Sequence, residues 1–338
     1  MRHWLGVGAA VALSVSALSG AQAADRSWTV PGNGLKIATP CARSVDIQPG
    51  GDARQIRISA AADHAEEIDQ LRVAGGEPAT VDAGGVRCGL PGMPSSQRPT
   101  LVLTIKVPDG AALDIGDGGA AGYTIGAVGG VLHVSLAGSG GLKAVNAKES
   151  TIALSGSGKA EIDSVEGKVT GRLSGAGTLA IGRLRAPSTD FDLSGTGAVR
   201  VNDGDAGQLT ASVRGAGTLS VPAAAAVKLS DSGSGAIAIK SVKGGLDAEL
   251  SGSGTLSVDG VESPSVNIQV TGHSNVKLGP GAIASISLSS AGAGDVGIDA
   301  TVTDANVSAV GAGEIRFAKL TGHISQSSTG AARIVVGK

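Results

Sequence analysis

Asn275, Asp295, Glu314 and Arg333 follow one another at intervals of 20, 19 and 19 residues. If each interval is one turn of a coil, the four side chains form a column on successive turns. Paired strands lie about 4.8 Å apart. Asp295 and Glu314 would then stand near the separation of about 5–5.5 Å that a retaining glycosidase uses for its two carboxyls. The same pair could hold a cation. The competing reading is a solvated ladder in which Lys277, Arg316 and Arg333 screen two like charges, an arrangement of little energetic weight. Other acids do not stack: Asp192 and Glu249 share a place in the repeat but lie three coils apart. Sugar-cleaving sites also use aromatic platforms, and after residue 23 only Trp28, Tyr123, Phe191 and Phe317 remain.

Other chemistries find less support. His64, His133, His273 and His323 lack metal-ligand spacing. Asp203 and Asp205 flank Gly204 and suit a turn as well as a cation. Calcium-binding β-rolls need an aspartate in every repeat, whereas the residue after the second glycine is acidic only at Asp295 and Glu314. Thr178, Thr218 and Thr255 share an offset but alternate with Ala198 and Ala236, which breaks an ice-binding rank. No metal and no cofactor is expected. The formal net charge is −2, with cations scattered. That pattern argues against a nucleic-acid partner and against a polybasic lipid contact.

The column rests on a repeat. A small–Gly–small–Gly phrase recurs with its first glycine at 138, 156, 175, 195, 215, 233, 252, 272, 292, 311 and 330. Repeats of about 19 residues signal a solenoid. Four residues after each glycine stand Ala160, Leu179, Val199, Leu219, Ile237, Leu256, Val276, Val296, Ile315 and Ile334. Six residues after it stand Ile162, Ile181, Val201, Val221, Ile239, Val258, Leu278, Ile298, Phe317 and Val336. Polar or small residues separate them, and alternation of period two marks a strand with one buried face. Leu154, Leu173, Leu193, Val213, Leu250 and Val270, two before the glycine, read inward on a second strand. Glycine suits the corner because it accepts positive φ and lets coils approach closely. The pattern predicts an all-β fold, a right-handed parallel β-helix, over residues 115–338. Its last strand, Arg333 to Lys338, reads as a free edge open to self-association.

Residues 24–114 differ. They carry Cys41 and Cys88, most of the prolines and no regular G-x-G. Gln55–Ser59 and Leu101–Val107 read as strands. Asp63 and Glu66 resemble a capping box before a short helix ending near Leu71. This segment is expected to be a β-rich lead-in that covers one end of the coils. Two lone cysteines in an oxidising compartment are most simply a Cys41–Cys88 disulfide, worth about 4 kcal/mol in the chain-entropy account. The alternative redox pair would more often show C-x-x-C, which is absent. The compartment follows from residues 1–23. Arg2 and His3 precede an apolar run from Leu5 to Leu18, and Ala21-Gln22-Ala23 is a small-x-small site. These features predict a signal peptide cleaved after Ala23 and a periplasmic, surface or secreted protein. Ala21 stands where a lipoprotein signal would place cysteine. No later stretch is apolar and long enough for a spanning helix.

Leu154-Ser155-Gly156-Ser157-Gly158, Leu250-Ser251-Gly252-Ser253-Gly254 and their variants resemble the GIN domain, the "putative auto-transporter adhesin head" family of bacterial envelope proteins (DUF2807). Leu101–Pro108 is similar to that family's entry strand. The resemblance implies an exported β-helix and brings no catalytic residues with it. No translocator barrel of alternating strands with aromatic girdles follows the repeats. The expectation is a non-catalytic scaffold or adhesin-like binding module whose partner is an envelope component, a polysaccharide or a surface protein. The alternative is a polysaccharide-active β-helix enzyme using Asp295 and Glu314.

Overall fold

A computed structural model describes residues 24–39, 42–52, 54–83 and 99–337. The expected leader (1–23), Cys41 and Cys88 lie outside the described residues. The fold is a β-solenoid, and its chain divides into two compact units: Met1–Ala153 with Gly158–Ile162, and Leu154–Ser157 with Asp163–Lys338. Among the described residues no helix is long and apolar enough to cross a membrane.

In the first unit the lead-in already supplies solenoid strands. Gly34–Ala38 runs parallel to both Ala79–Asp82 and Ala112–Asp117. Ser44–Pro49 runs parallel to both Val102–Val107 and Gly122–Ile125. Val131–Leu136 and Gly141–Ala147 then stack on Ala112–Asp117 and Gly122–Ile125. Both ladders change sense at their other edge. Gln55–Ala62 pairs antiparallel with Val102–Val107, and Ala24–Pro31 pairs antiparallel with Gln55–Ala62. Arg72–Ala74 likewise pairs antiparallel with Ala79–Asp82. Alternation buries Ile56, Ile58, Ala60 and Ala62 on one face of the sheet, and Trp28 and Val30 of the outer strand, in register with Ile58 and Ile56, are buried beside them.

The predicted helix forms over Ala65–Asp69 without the capping box. Its N-cap is His64, whose side chain makes no capping bond, and the Asp63 N–H donates to Thr100 Oγ1 at 3.0 Å. Glu67, one residue beyond the expected partner, fixes the helix instead. Its carboxylate accepts from the Thr100 N–H, the Thr100 hydroxyl and the Leu101 N–H at 3.1, 2.7 and 2.9 Å. Glu67→Ala should cost about 1–3 kcal/mol, because amides at this entry strand lose their acceptor. Denaturant unfolding would measure it, and Glu66→Ala serves as the neutral comparison.

The second unit contains the regular coils. Leu173, Leu193, Val213, Asp231, Leu250 and Val270 are in register along one parallel ladder. Leu179, Val199, Leu219, Ile237, Leu256, Val276, Val296, Ile315 and Ile334 are in register along the other. The aliphatic members from Leu173 to Ile315 are all buried, as the alternation predicts. The last coil departs: Ile334 is half-buried and Val336 is 39% exposed. No described strand covers them.

The corners show which property of glycine matters. At Gly175, Gly195, Gly215, Gly233 and Gly252 a β-carbon would overlap the carbonyl of the glycine one coil before. Positive φ is confined to the last four corners, Gly272, Gly292, Gly311 and Gly330 (φ 106°, 149°, 123° and 85°). Close stacking is therefore the requirement common to the corners, and backbone handedness is added only in the final coils.

Candidate functional site

The polar column is assembled by the corner itself. Each member follows the second corner position, where the backbone N–H points along the coil axis. The Asp295 N–H donates to Asn275 Oδ1 at 3.2 Å, and the Glu314 N–H donates to Asp295 Oδ1 at 2.9 Å. Glu314 is in register with Arg333 and accepts from Arg316 Nη2 at 2.5 Å. Asp295, Glu314, Arg316 and Arg333 line a concavity of about 660 Å³ floored by Gly297, Ala312 and Ala331. Asn275 joins the column through its hydrogen bond and does not line that cavity.

This geometry favours tying coils over proton transfer. One Asp295 oxygen is occupied by a backbone amide of the next coil, and one Glu314 oxygen is occupied by a guanidinium. Asp295 is exposed, and 35% of the Glu314 side chain remains accessible. An exposed ion pair of this kind is worth about 0–1 kcal/mol. The concavity offers donors and acceptors of both signs over a small-residue floor, a setting for a polar ligand.

The remaining candidates resolve into local structure. Asp203 lies 3.3 Å from Arg183, and Asp205 Oδ1 accepts from the Gly207 N–H at 2.7 Å, an Asx-type turn. Asp192 takes a two-oxygen contact from Arg214 at 2.6 and 2.8 Å. Among the described residues no three His, Cys, Asp or Glu side chains gather as a metal site.

Among the described residues the buried acids are two that the repeat reading passed over. Asp231 is 1% exposed and Asp117 is 4% exposed. Both stand two residues before a corner glycine, where the other coils carry mostly leucine or valine. Asp231 Oδ1 accepts from the Gly233 N–H at 2.9 Å, and Asp117 Oδ1 accepts from the Gly119 N–H at 2.6 Å. The second oxygen of each is buried without a hydrogen-bond partner. Burial pushes both carboxyls above the usual aspartate range; the Gly233 N–H pulls back part of that rise at Asp231, and the Gly119 N–H, the Tyr123 hydroxyl and the Ala121 N–H do so at Asp117. Gly254 leaves room for Asp231, since a β-carbon there would overlap its Oδ2. Beside Asp117 the Tyr123 hydroxyl, also pushed up by burial, meets Thr39 Oγ1 at 3.1 Å. The sequence signal was available: an aspartate in an aliphatic column.

The family described as "Putative auto-transporter adhesin, head GIN domain" (DUF2807) matches residues 50–225. This chain belongs to the GIN domain family. The match takes in the lead-in from Gln55–Ala62 onward and the corners from Gly138 to Gly215; the three strands before residue 50 lie outside it, and glycine corners of the same spacing continue beyond it to Gly330. No curated protein matches the chain. Among solved structures, it is similar to a putative lipid binding protein from Parabacteroides distasonis ATCC 8503. Identity is 12%, coverage is 93% of this chain and 97% of that one, and the TM-score is 0.30. A putative adhesin from the same organism is 14% identical over 92% and 96% of the two chains, with a TM-score of 0.24. A putative adhesin from Parabacteroides merdae ATCC 43184 is 14% identical over 93% and 96%, with a TM-score of 0.25.

Proposed function

We propose that this GIN domain chain is an exported, non-catalytic binding module of the bacterial envelope or cell surface, adhesin-like in action. The observation that carries the reading is an exposed polar face on the late coils, two of whose columns carry no charge over four coils. Asn267, Ser287, Asn306 and Ser325 are in register in one column, with Gln269, Ser289, Ser308 and Ser327 in the next. All eight are exposed. Neighbouring columns on one face of a strand are about 6.8 Å apart, and coils about 4.8 Å apart. A regular grid of hydroxyls and amides suits a repetitive neutral partner such as a polysaccharide, which it would hold by many weak hydrogen bonds. The family description supports the same reading.

The rival is hydrolysis or lysis of a polysaccharide by Asp295 and Glu314. Their bonds to backbone and guanidinium favour a tie between coils. Purified protein lacking residues 1–23 should retain neutral polysaccharide without releasing product, and Glu314→Gln should leave retention unchanged. Product release that Glu314→Gln abolishes would overturn the binding reading. Export and the Cys41–Cys88 bond belong to the same proposal. N-terminal sequencing of an envelope fraction should begin at Ala24, and alkylation should reach both thiols only after reduction.

A further inference from the structure

We propose that Asp117 and Asp231 are proton-binding sites built into the solenoid interior, protonated in the folded chain at pH values where the unfolded chain has both ionised. The argument begins with equivalence. The two residues occupy the same repeat position in different units, and each stands beside a leucine one coil on: Leu136 for Asp117 and Leu250 for Asp231. Each uses one oxygen on a corner N–H and buries the other; the second oxygen of Asp231 has no hydrogen-bond partner, while the Tyr123 hydroxyl and the Ala121 N–H stand close to the Asp117 carboxyl. An ionised carboxylate in that setting has no countercharge. Asp231 faces Val213 and Leu250 along the ladder and the Gly233 and Gly254 backbone at the corner, and no charged or titratable side chain acts on it. Asp117 faces one titratable group, the Tyr123 hydroxyl, and the backbone of Gly119 and Ala121, with no cation. Removing an unpaired charge from water is far costlier than burying the neutral acid, so folding draws a proton onto each site.

The sign follows from linkage. A carboxyl whose folded-state value is raised contributes its full stability below the ordinary aspartate range. That contribution is lost as pH rises through the folded-state value. These two residues therefore favour the fold in acid. The device would keep the coils stacked in acid surroundings.

The test compares denaturant unfolding of the full mature chain with that of Asp117→Asn, Asp231→Asn and the double variant, from pH 4 to pH 8. Buried asparagine carries its own unpaired donors, so the readout is the pH dependence and not the absolute stability. Across the window the folding equilibrium constant of the natural chain should rise relative to the double variant by up to about tenfold per unit fall in pH for each carboxyl. Each single variant should lose part of that gain. Identical pH dependence in all four chains would overturn the proposal. Carbon-13 NMR of the natural chain's aspartate carboxyls decides the case if a variant fails to fold. Two carboxyls titrating above the rest are expected, and none doing so would refute it.

Discussion

Phe191→Ala should lower the unfolding free energy by about 3–5 kcal/mol, the range for emptying a fully buried aromatic site. Phe191 is 0% exposed, and its coil neighbours in register are Gly171 and Ala211. The ring fills space that two small residues leave open. A β-carbon at Gly171 would come within 2.8 Å of Phe191 Cδ1 and 3.0 Å of Leu179 Cδ2. Hydrogen-bonded neighbours above and below hold the coil, so it cannot collapse into the hole. Gly171→Leu alone should also destabilise, by overpacking, typically 1–3 kcal/mol. Together the two changes should be less harmful than their sum, because the new leucine occupies the vacated ring space. A double-mutant cycle by urea unfolding measures that coupling. Strict additivity would show that the two sites do not share volume.

Gly292→Ala should rank with Gly281→Ala among the most damaging single-methyl additions in the late coils. The φ of 149° at Gly292 belongs to a region essentially closed to side chains, and an added β-carbon would overlap the Gly272 carbonyl oxygen. Backbone strain alone costs about 1–3 kcal/mol. The overlap adds to it, because the opposing atoms are backbone held in register on both sides. Soluble yield and midpoint of thermal unfolding should both fall. Gly297→Ala is the control: no atom lies within 4 Å of its β-carbon position, and its φ is ordinary. It should remain within about 0.5 kcal/mol of the natural chain. Equal losses at both positions would mean that glycine matters here through chain entropy and not through stacking.

The coils were legible because burial imposes the same demand on every turn. Leu179, Val199, Leu219 and Ile237 had to be apolar, and Gly175, Gly195 and Gly215 had to lack a side chain. The first unit was less legible, since its antiparallel strands Ala24–Pro31 and Gln55–Ala62 recur nowhere and leave no period to read. The helix at Ala65–Asp69 was found, but Glu67 anchors it through Thr100 and Leu101, a contact 33 and 34 residues away in sequence. Spacing placed Asp295 beside Glu314 correctly. It could not reveal that the free partner of Asp295 is a backbone amide, which depends on how the corner turns. Asp117 and Asp231 were readable only as exceptions to a column, and a single exception carries little weight until its burial is known.

Parallel pairing in the second unit joins residues only 18 to 20 positions apart, as Thr218 with Ala236 and Thr178 with Ala198. Each loop closed during folding is therefore short, and its entropic cost does not grow with the length of the chain. Such a protein can nucleate at any pair of adjacent coils and extend from there. A chain emerging end-first from a narrow pore could acquire order turn by turn, with no need to wait for its last residue.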